Sequence, residues 1–151
     1  MSSRTFVLIK PDGVLRGLVG DIIGRFEGRG LKLVAMQMRT LSRELAEDYY
    51  HEHRGKEFFQ PLVAYVLSGP VVAMIWEGPR AVEVARATIG ATNPIEANPG
   101  TIRGDYGVDI SRNLIHGADS EASAKREIGL FFRAEDILTY ARVDEDWLQE
   151  P

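Results

Sequence analysis

Thr5-Phe6-Val7-Leu8-Ile9, broken at once by Lys10-Pro11-Asp12-Gly13, is the stretch from which the fold is read. A short run that is branched and almost wholly apolar has the pattern of a strand covered on both faces. Proline and glycine then end it, the one lacking an amide donor and the other free to turn. Downstream, Leu18, Val19, Ile22, Ile23 and Phe26 recur at spacings of three and four, which predicts an amphipathic helix closed by Gly28 and Gly30. The chain therefore opens as strand, turn, helix.

Residues 31–40 put Val34, Met36 and Met38 on one face with Gln37 and Arg39 opposite, the period of a second strand. Ser42 caps a short helix through Tyr50, with Glu44 and Glu47 near its positive end, and another short helix fits residues 61–67. Val71-Val72-Ala73-Met74-Ile75-Trp76 is a third buried strand, and Gly78-Pro79 starts a helix over residues 80–89 with proline in its first turn. From residue 90 to residue 113 no period is sustained, so a long structureless loop is expected, of the kind that is usually functional. Helical spacing resumes over residues 120–130, with Ala124, Ile128 and Phe131 inward. This order predicts an α+β sandwich with helices on an antiparallel sheet, close to a split βαβ arrangement. No repeat or low-complexity tract is visible, and residues 1–151 read as one domain.

Composition excludes several function classes. Eighteen Lys plus Arg against twenty-two Asp plus Glu leave a charge of −4, too little for general adhesion to nucleic acid or membrane, so any anion site must be local. The absence of cysteine removes disulfides, thiolate metal sites and cysteine nucleophiles. No signal peptide or apolar span is visible, and the expected location is the cytoplasm.

The chemistry concentrates in Asn113-Leu114-Ile115-His116-Gly117-Ala118-Asp119-Ser120, where a histidine ends an apolar run and a helix begins four residues later. Free amides at a helix start favour phosphate oxygens beside the ring. A neutral imidazole is itself a nucleophile near pH 7. Glu127, two turns into the same helix, is placed to reach back and orient it. His51-Glu52-His53 lacks the four-residue spacing of a helical zinc pair, and Arg103-Gly104-Asp105 reads as part of a phosphate loop. No Gly-rich phosphate loop of the P-loop type and no protein-kinase signature is present, so phosphoryl transfer would need another apparatus.

That segment, followed by Glu127-Ile128-Gly129-Leu130-Phe131, resembles the active-site signature of nucleoside diphosphate kinases. Further matches run in order along nearly the whole chain: Thr5 to Gly13, Arg16-Gly17-Leu18-Val19-Gly20, Ser68-Gly69-Pro70-Val71-Val72, Thr92-Asn93-Pro94 and Pro99-Gly100-Thr101-Ile102-Arg103-Gly104. The resemblance implies a ferredoxin-like βαββαβ fold. It implies γ-phosphoryl transfer from a nucleoside triphosphate to a diphosphate, by a ping-pong route through phosphorylated His116. Lys10 and Glu127 would assist, while Lys10, Tyr50, Arg86, Thr92, Arg103 and Asn113 would hold the nucleotide. Phe58 would stack on the base beside Leu62 and Ile110, and stacking by a ring face implies broad base and sugar specificity. It further implies Mg²⁺ carried on the nucleotide phosphates without protein ligands, and a homo-oligomer, expected to be a hexamer.

One departure is Ala118, where the family usually has serine. The amide of Ala118 is expected to remain available, with a slower transfer for want of the hydroxyl. Two other functions fit the sequence less well. A nucleotide- or DNA-binding regulator on the same fold would not need His116, Lys10 and Glu127 together. An RNA-binding domain would need exposed strand aromatics, which Phe6 and Trp76 in apolar runs do not supply.

Overall fold

A computed structural model describes residues 2–150. Strands β1 (Ser2–Ile9), β2 (Lys32–Arg39), β3 (Val71–Pro79) and β4 (Ile115–Gly117) form an antiparallel sheet in the order β2-β3-β1-β4. Helices α1 (Pro11–Leu15) and α2 (Val19–Gly28) join β1 to β2; α3 (Arg43–Tyr49) and α4 (Phe59–Leu67) lie between β2 and β3. Beyond β3 come α5 (Ala81–Ile89), α6 (Ile102–Tyr106), α7 (Glu121–Phe131) after β4, and a terminal turn α8 (Glu145–Leu148). Taken as β1, α2, β2, β3, α5, β4, this is the ferredoxin-like order, with α3 and α4 inserted between the middle strands.

Both faces of the sheet are covered, as the apolar run of β1 requires. Phe6 and Leu8 point with Ala73 and Ile75 into a core closed by Ala46, Val63 and Phe131 from α3, α4 and α7. Val7 and Ile9 point the other way with Met74 and Trp76, against Ile22 and Phe26 of α2 and Ala85 and Ile89 of α5. Residues 6–9 are all fully buried. At roughly 1.5–3 kcal/mol for each large apolar side chain withdrawn from water, this strand anchors both layers.

The sequence reading needs correction in three places. A register shift between Leu33 and Ala35 sends Val34 and Ala35 into the same core, so the alternation flips. Met36 and Met38 consequently face outward, 53% and 64% exposed, rather than sharing a buried face with Val34. Pro79 does not start a helix: it pairs with Ser2 at the end of β3, and Arg80 turns at φ +53 before α5 begins at Ala81. The Ser3 hydroxyl accepts the Ala81 N–H at 3.0 Å and serves as the cap. The segment 90–113 is not structureless, for it holds a 3₁₀ turn at Pro94–Glu96 and helix α6. Asn93 caps the first through Ile95 N–H and Thr101 caps the second through Gly104 N–H, both too short to leave a period. Arg25 of α2 staples this segment down, donating to Gly100 O at 3.1 Å and to Asp105 at 2.5 Å.

Candidate active site

Where β1 ends, α4 and the segment 90–113 stand apart, and β4 lies between them; a cleft of about 730 Å³ results. It is lined by Lys10, Tyr50, Phe58, Leu62, Arg86, Thr92, Arg103, Ile110, Asn113 and His116, ten of the eleven candidates read from the sequence. The eleventh, Glu127, stands behind His116 on α7 and is 5% exposed.

His116 is the middle residue of β4, paired with Leu8. Its Nε2 lies 2.8 Å from Glu127 Oε1, and since a carboxylate oxygen can only accept, the neutral ring carries its proton on Nε2 and its lone pair on Nδ1. Tyr49 packs edge-on to the imidazole at 5.2 Å between centroids, leaving the ring one orientation. Arg126 holds the carbonyl end of α3, and with it Tyr49, through Asp48 O and Tyr49 O, each at 3.2 Å. Tyr50, the next residue, is buried and its hydroxyl has no hydrogen-bond partner among the described residues. Burial pushes its phenol well above the usual range, so it stays a proton donor at neutral pH.

The cations of the cleft are built into the backbone around His116. Arg103, 6% exposed, donates to Asn113 O at 3.2 Å, Gly90 O at 3.2 Å and Ile115 O at 2.5 Å. Three of its five N–H groups are thus engaged and two remain for an anion. Arg86 donates to Gly117 O at 3.0 Å. Lys10 Nζ donates to Asn113 Oδ1 at 2.8 Å, and Asn113 Nδ2 in turn donates to Thr92 O at 3.1 Å. Burial, then repulsion by Arg86, lowers the Arg103 guanidinium to about 10, still charged at pH 7. The arrangement places a held imidazole beside fixed cations, a setting chemically suited to a phosphate polyanion.

Lys10 carries a pH dependence. Burial and then the Arg103 charge push its ammonium down to about 7, against the pull of Asp12. Because the folded value lies below the unfolded 10.5, its unfavourable effect on stability is complete below about pH 7 and fades as pH rises toward 10.5. The Lys10 side-chain ¹³Cε signal is expected to titrate near pH 7 in the free protein and at higher pH once inorganic tripolyphosphate is added. A midpoint near 10 without polyphosphate would contradict this.

Several neighbours escaped the sequence reading. Tyr65 follows Phe58 and Leu62 at the next helical step on α4, a spacing that would have found it. Arg112 lies 4.5 Å from the Tyr65 ring, and Asp119 closes the cleft beside Gly117. His53, set aside as a metal ligand, instead packs edge-on to Phe58 at 5.0 Å. Two expectations about amides fail. The Ala118 N–H donates to Phe6 O at 3.0 Å as part of the sheet and is not available to a ligand. The start of α7 does not line the cleft, and its own Ser120 accepts one of its amides, Ser123 N–H, at 3.0 Å. Asp105, read as part of a phosphate loop, is spent on Arg25 and Gly100 N–H.

Fold and cleft together define a protein with a carboxylate-anchored histidine beside a cleft lined by three cations, Lys10, Arg86 and Arg103. A family model described as nucleoside diphosphate kinase matches residues 3–137. Nucleoside diphosphate kinase of Archaeoglobus fulgidus is 58% identical over 147 residues, 97% of each chain, and that of Carboxydothermus hydrogenoformans is 57% identical over 97% of this chain and 99% of its own. Among solved structures, a halophilic nucleoside diphosphate kinase from Halobacterium salinarum in complex with CDP superposes with a TM-score of 0.97 at 48% identity, over 99% of this chain and 100% of that one. The chain belongs to the nucleoside diphosphate kinase family. These relatives are named as kinases, which leaves the regulator reading without support. Among the described residues no helix is long and apolar enough to cross a membrane.

Proposed function

We propose that this nucleoside diphosphate kinase works by a ping-pong route in which one cleft serves donor and acceptor in turn. The observation that carries the reading is His116, fixed through Nε2 by Glu127 and facing a cleft lined by Lys10, Arg86 and Arg103. Nδ1 attacks the γ-phosphorus of a triphosphate; the N–P bond forms as the P–O bond to the leaving diphosphate breaks, its electrons staying on that oxygen. Glu127 balances the positive charge that develops on the ring. An acceptor diphosphate then reverses the step. Arg86, Arg103, Lys10 and Thr92 engage the phosphates, Asn113 and Tyr50 the sugar and phosphate edge, and Phe58, Leu62 and Ile110 the base.

Asp119 is the one carboxylate lining the cleft among the described residues, a donor set too small for a dedicated cage but suited to Mg²⁺ that arrives on the phosphates with its waters. Bound there, the ion would neutralise phosphate oxygens. Residues 1–151 act as one domain, in the cytoplasm. A homo-oligomer is supported by exposed Met36 and Met38 on edge strand β2 and by Ile95 and Trp147, 83% and 88% exposed, and the family resemblance makes a hexamer the expected size.

The test supplies γ-labelled ATP with unlabelled GDP, CDP or UDP in turn. Label is expected on every diphosphate at comparable rates; label confined to one, or to none, would refute the reading. Ala118 offers a second measurement. It is fully buried, so Ala118→Ser is expected to lower unfolding stability by about 1–3 kcal/mol while raising the single-turnover rate of His116 phosphorylation. An unchanged rate would show that the hydroxyl is irrelevant here.

A further inference from the structure

Leu114 separates two cleft residues, Asn113 and His116 lying on either side of it, and its backbone is left-handed at φ +74 although its side chain is fully buried. A branched, non-glycine residue does not stay there unaided; surrounding contacts must over-determine it. Three do. The Leu114 N–H donates to Asp12 Oδ2 at 3.1 Å, the Lys10 N–H donates to Leu114 O at 2.8 Å, and Gly13 lies so close that a Cβ there would stand 3.1 Å from Leu114 O. The other oxygen of Asp12, Oδ1, accepts the Tyr65 hydroxyl from α4, which fixes the carboxylate itself. Asp12 does not line the cleft, and each of its oxygens is engaged by a protein donor.

We propose that Asp12 is a positioning residue for phosphoryl transfer: its two oxygens, held between Tyr65 O–H and Leu114 N–H, keep Leu114 left-handed and so aim Asn113 and His116 into the cleft. The proposal rests on His116 as the phosphate acceptor. In physical terms, the turn that follows β1 and the turn that precedes β4 are locked together by one carboxylate, and α4 is tied to the same point. Without it Leu114 relaxes toward negative φ, which re-aims the residues on both sides, and the ring nitrogen leaves the line of attack.

Single-turnover phosphorylation from γ-labelled ATP is compared among wild type, Asp12→Ala, Leu114→Gly and the double variant. Asp12→Ala is expected to slow the step by between about ten- and a hundredfold, the loss that an ångström-scale misplacement produces. In the Leu114→Gly background the same replacement should cost less than about threefold, because glycine holds positive φ without a clamp. Equal losses in both backgrounds, or none in either, overturn the proposal. So does a loss in Asp12→Ala that is recovered by lowering the pH, since that would assign Asp12 to the charge of Lys10. Amide hydrogen exchange provides an arm independent of activity: the Leu114 amide should open faster in Asp12→Ala while amides of β1 and β3 keep their protection. Where the alanine or glycine variants do not fold, Asp12→Asn takes their place, and an unaltered rate together with unaltered Leu114 exchange overturns the proposal. Wild-type protein that takes up no label would defeat the reading of His116, and the exchange arm would still decide Asp12.

Discussion

His116→Ala is expected to abolish covalent labelling and to reduce nucleotide-to-nucleotide transfer by at least about 10⁴-fold, the scale of removing a residue that itself forms the covalent intermediate. The fold should tolerate the change. The His116 side chain is 28% exposed and its one hydrogen-bond partner, Glu127, is left with a lone unpaired acceptor. Intact-mass spectra after incubation with ATP should show an acid-labile PO₃ adduct on the wild type and none on the variant. Glu127 is 5% exposed, so its carboxylate without the imidazole is uncompensated, and the variant should lose a modest amount of stability. Transfer by His116→Ala at the wild-type rate would exclude a phosphohistidine route.

Arg103 is the residue whose loss should damage folding and chemistry at once. Its guanidinium satisfies the carbonyls of Gly90, Asn113 and Ile115, which belong to two separate segments that meet at the cleft. Arg103→Ala leaves those acceptors unsatisfied, and at about 1–3 kcal/mol for each the total destabilisation is expected to be roughly 3–5 kcal/mol once water relieves part of it. Lysine is no remedy, since one ammonium cannot present a planar fork to three carbonyls. Urea unfolding should show both variants losing midpoint, alanine more than lysine. The phosphorylation rate should fall even where the protein is still folded. A loss below about 1 kcal/mol for alanine would mean that the carbonyls find other donors.

Much of this architecture was legible from local pattern. The uninterrupted apolar run of β1 foretold a strand covered on both faces, and both layers of helices duly pack on it. The bulge in β2 was not legible, because nothing in residues 31–40 marks the extra residue; the choice is made by pairing with β3. Nor was Pro79 as a strand terminus, since a proline before a helical pattern reads as helix start until a distant Ser3 is seen to supply the cap. In the cleft, the residues carried by the family signature were found by name, whereas Asp12 went without a role though it stood inside a quoted motif. Its partners, Tyr65 and Leu114, are 53 and 102 residues away in sequence, and no local period joins them.

The cleft is graded from end to end. Its floor, at Lys10 and Arg103 beside the part-buried His116, is cross-tied, while its rim, at Phe58 and Ile110, is half exposed, 49% and 56%. A guest inserted phosphate-first thus meets rigid protein with the portion common to all nucleotides and leaves the distinguishing portion lapped by solvent. Tolerance toward the varied head and exactingness toward the shared tail then need no separate devices. The same gradient tells a medicinal chemist where discrimination between such proteins must be sought: in the loosely held outer lip, not in the deep anion seat.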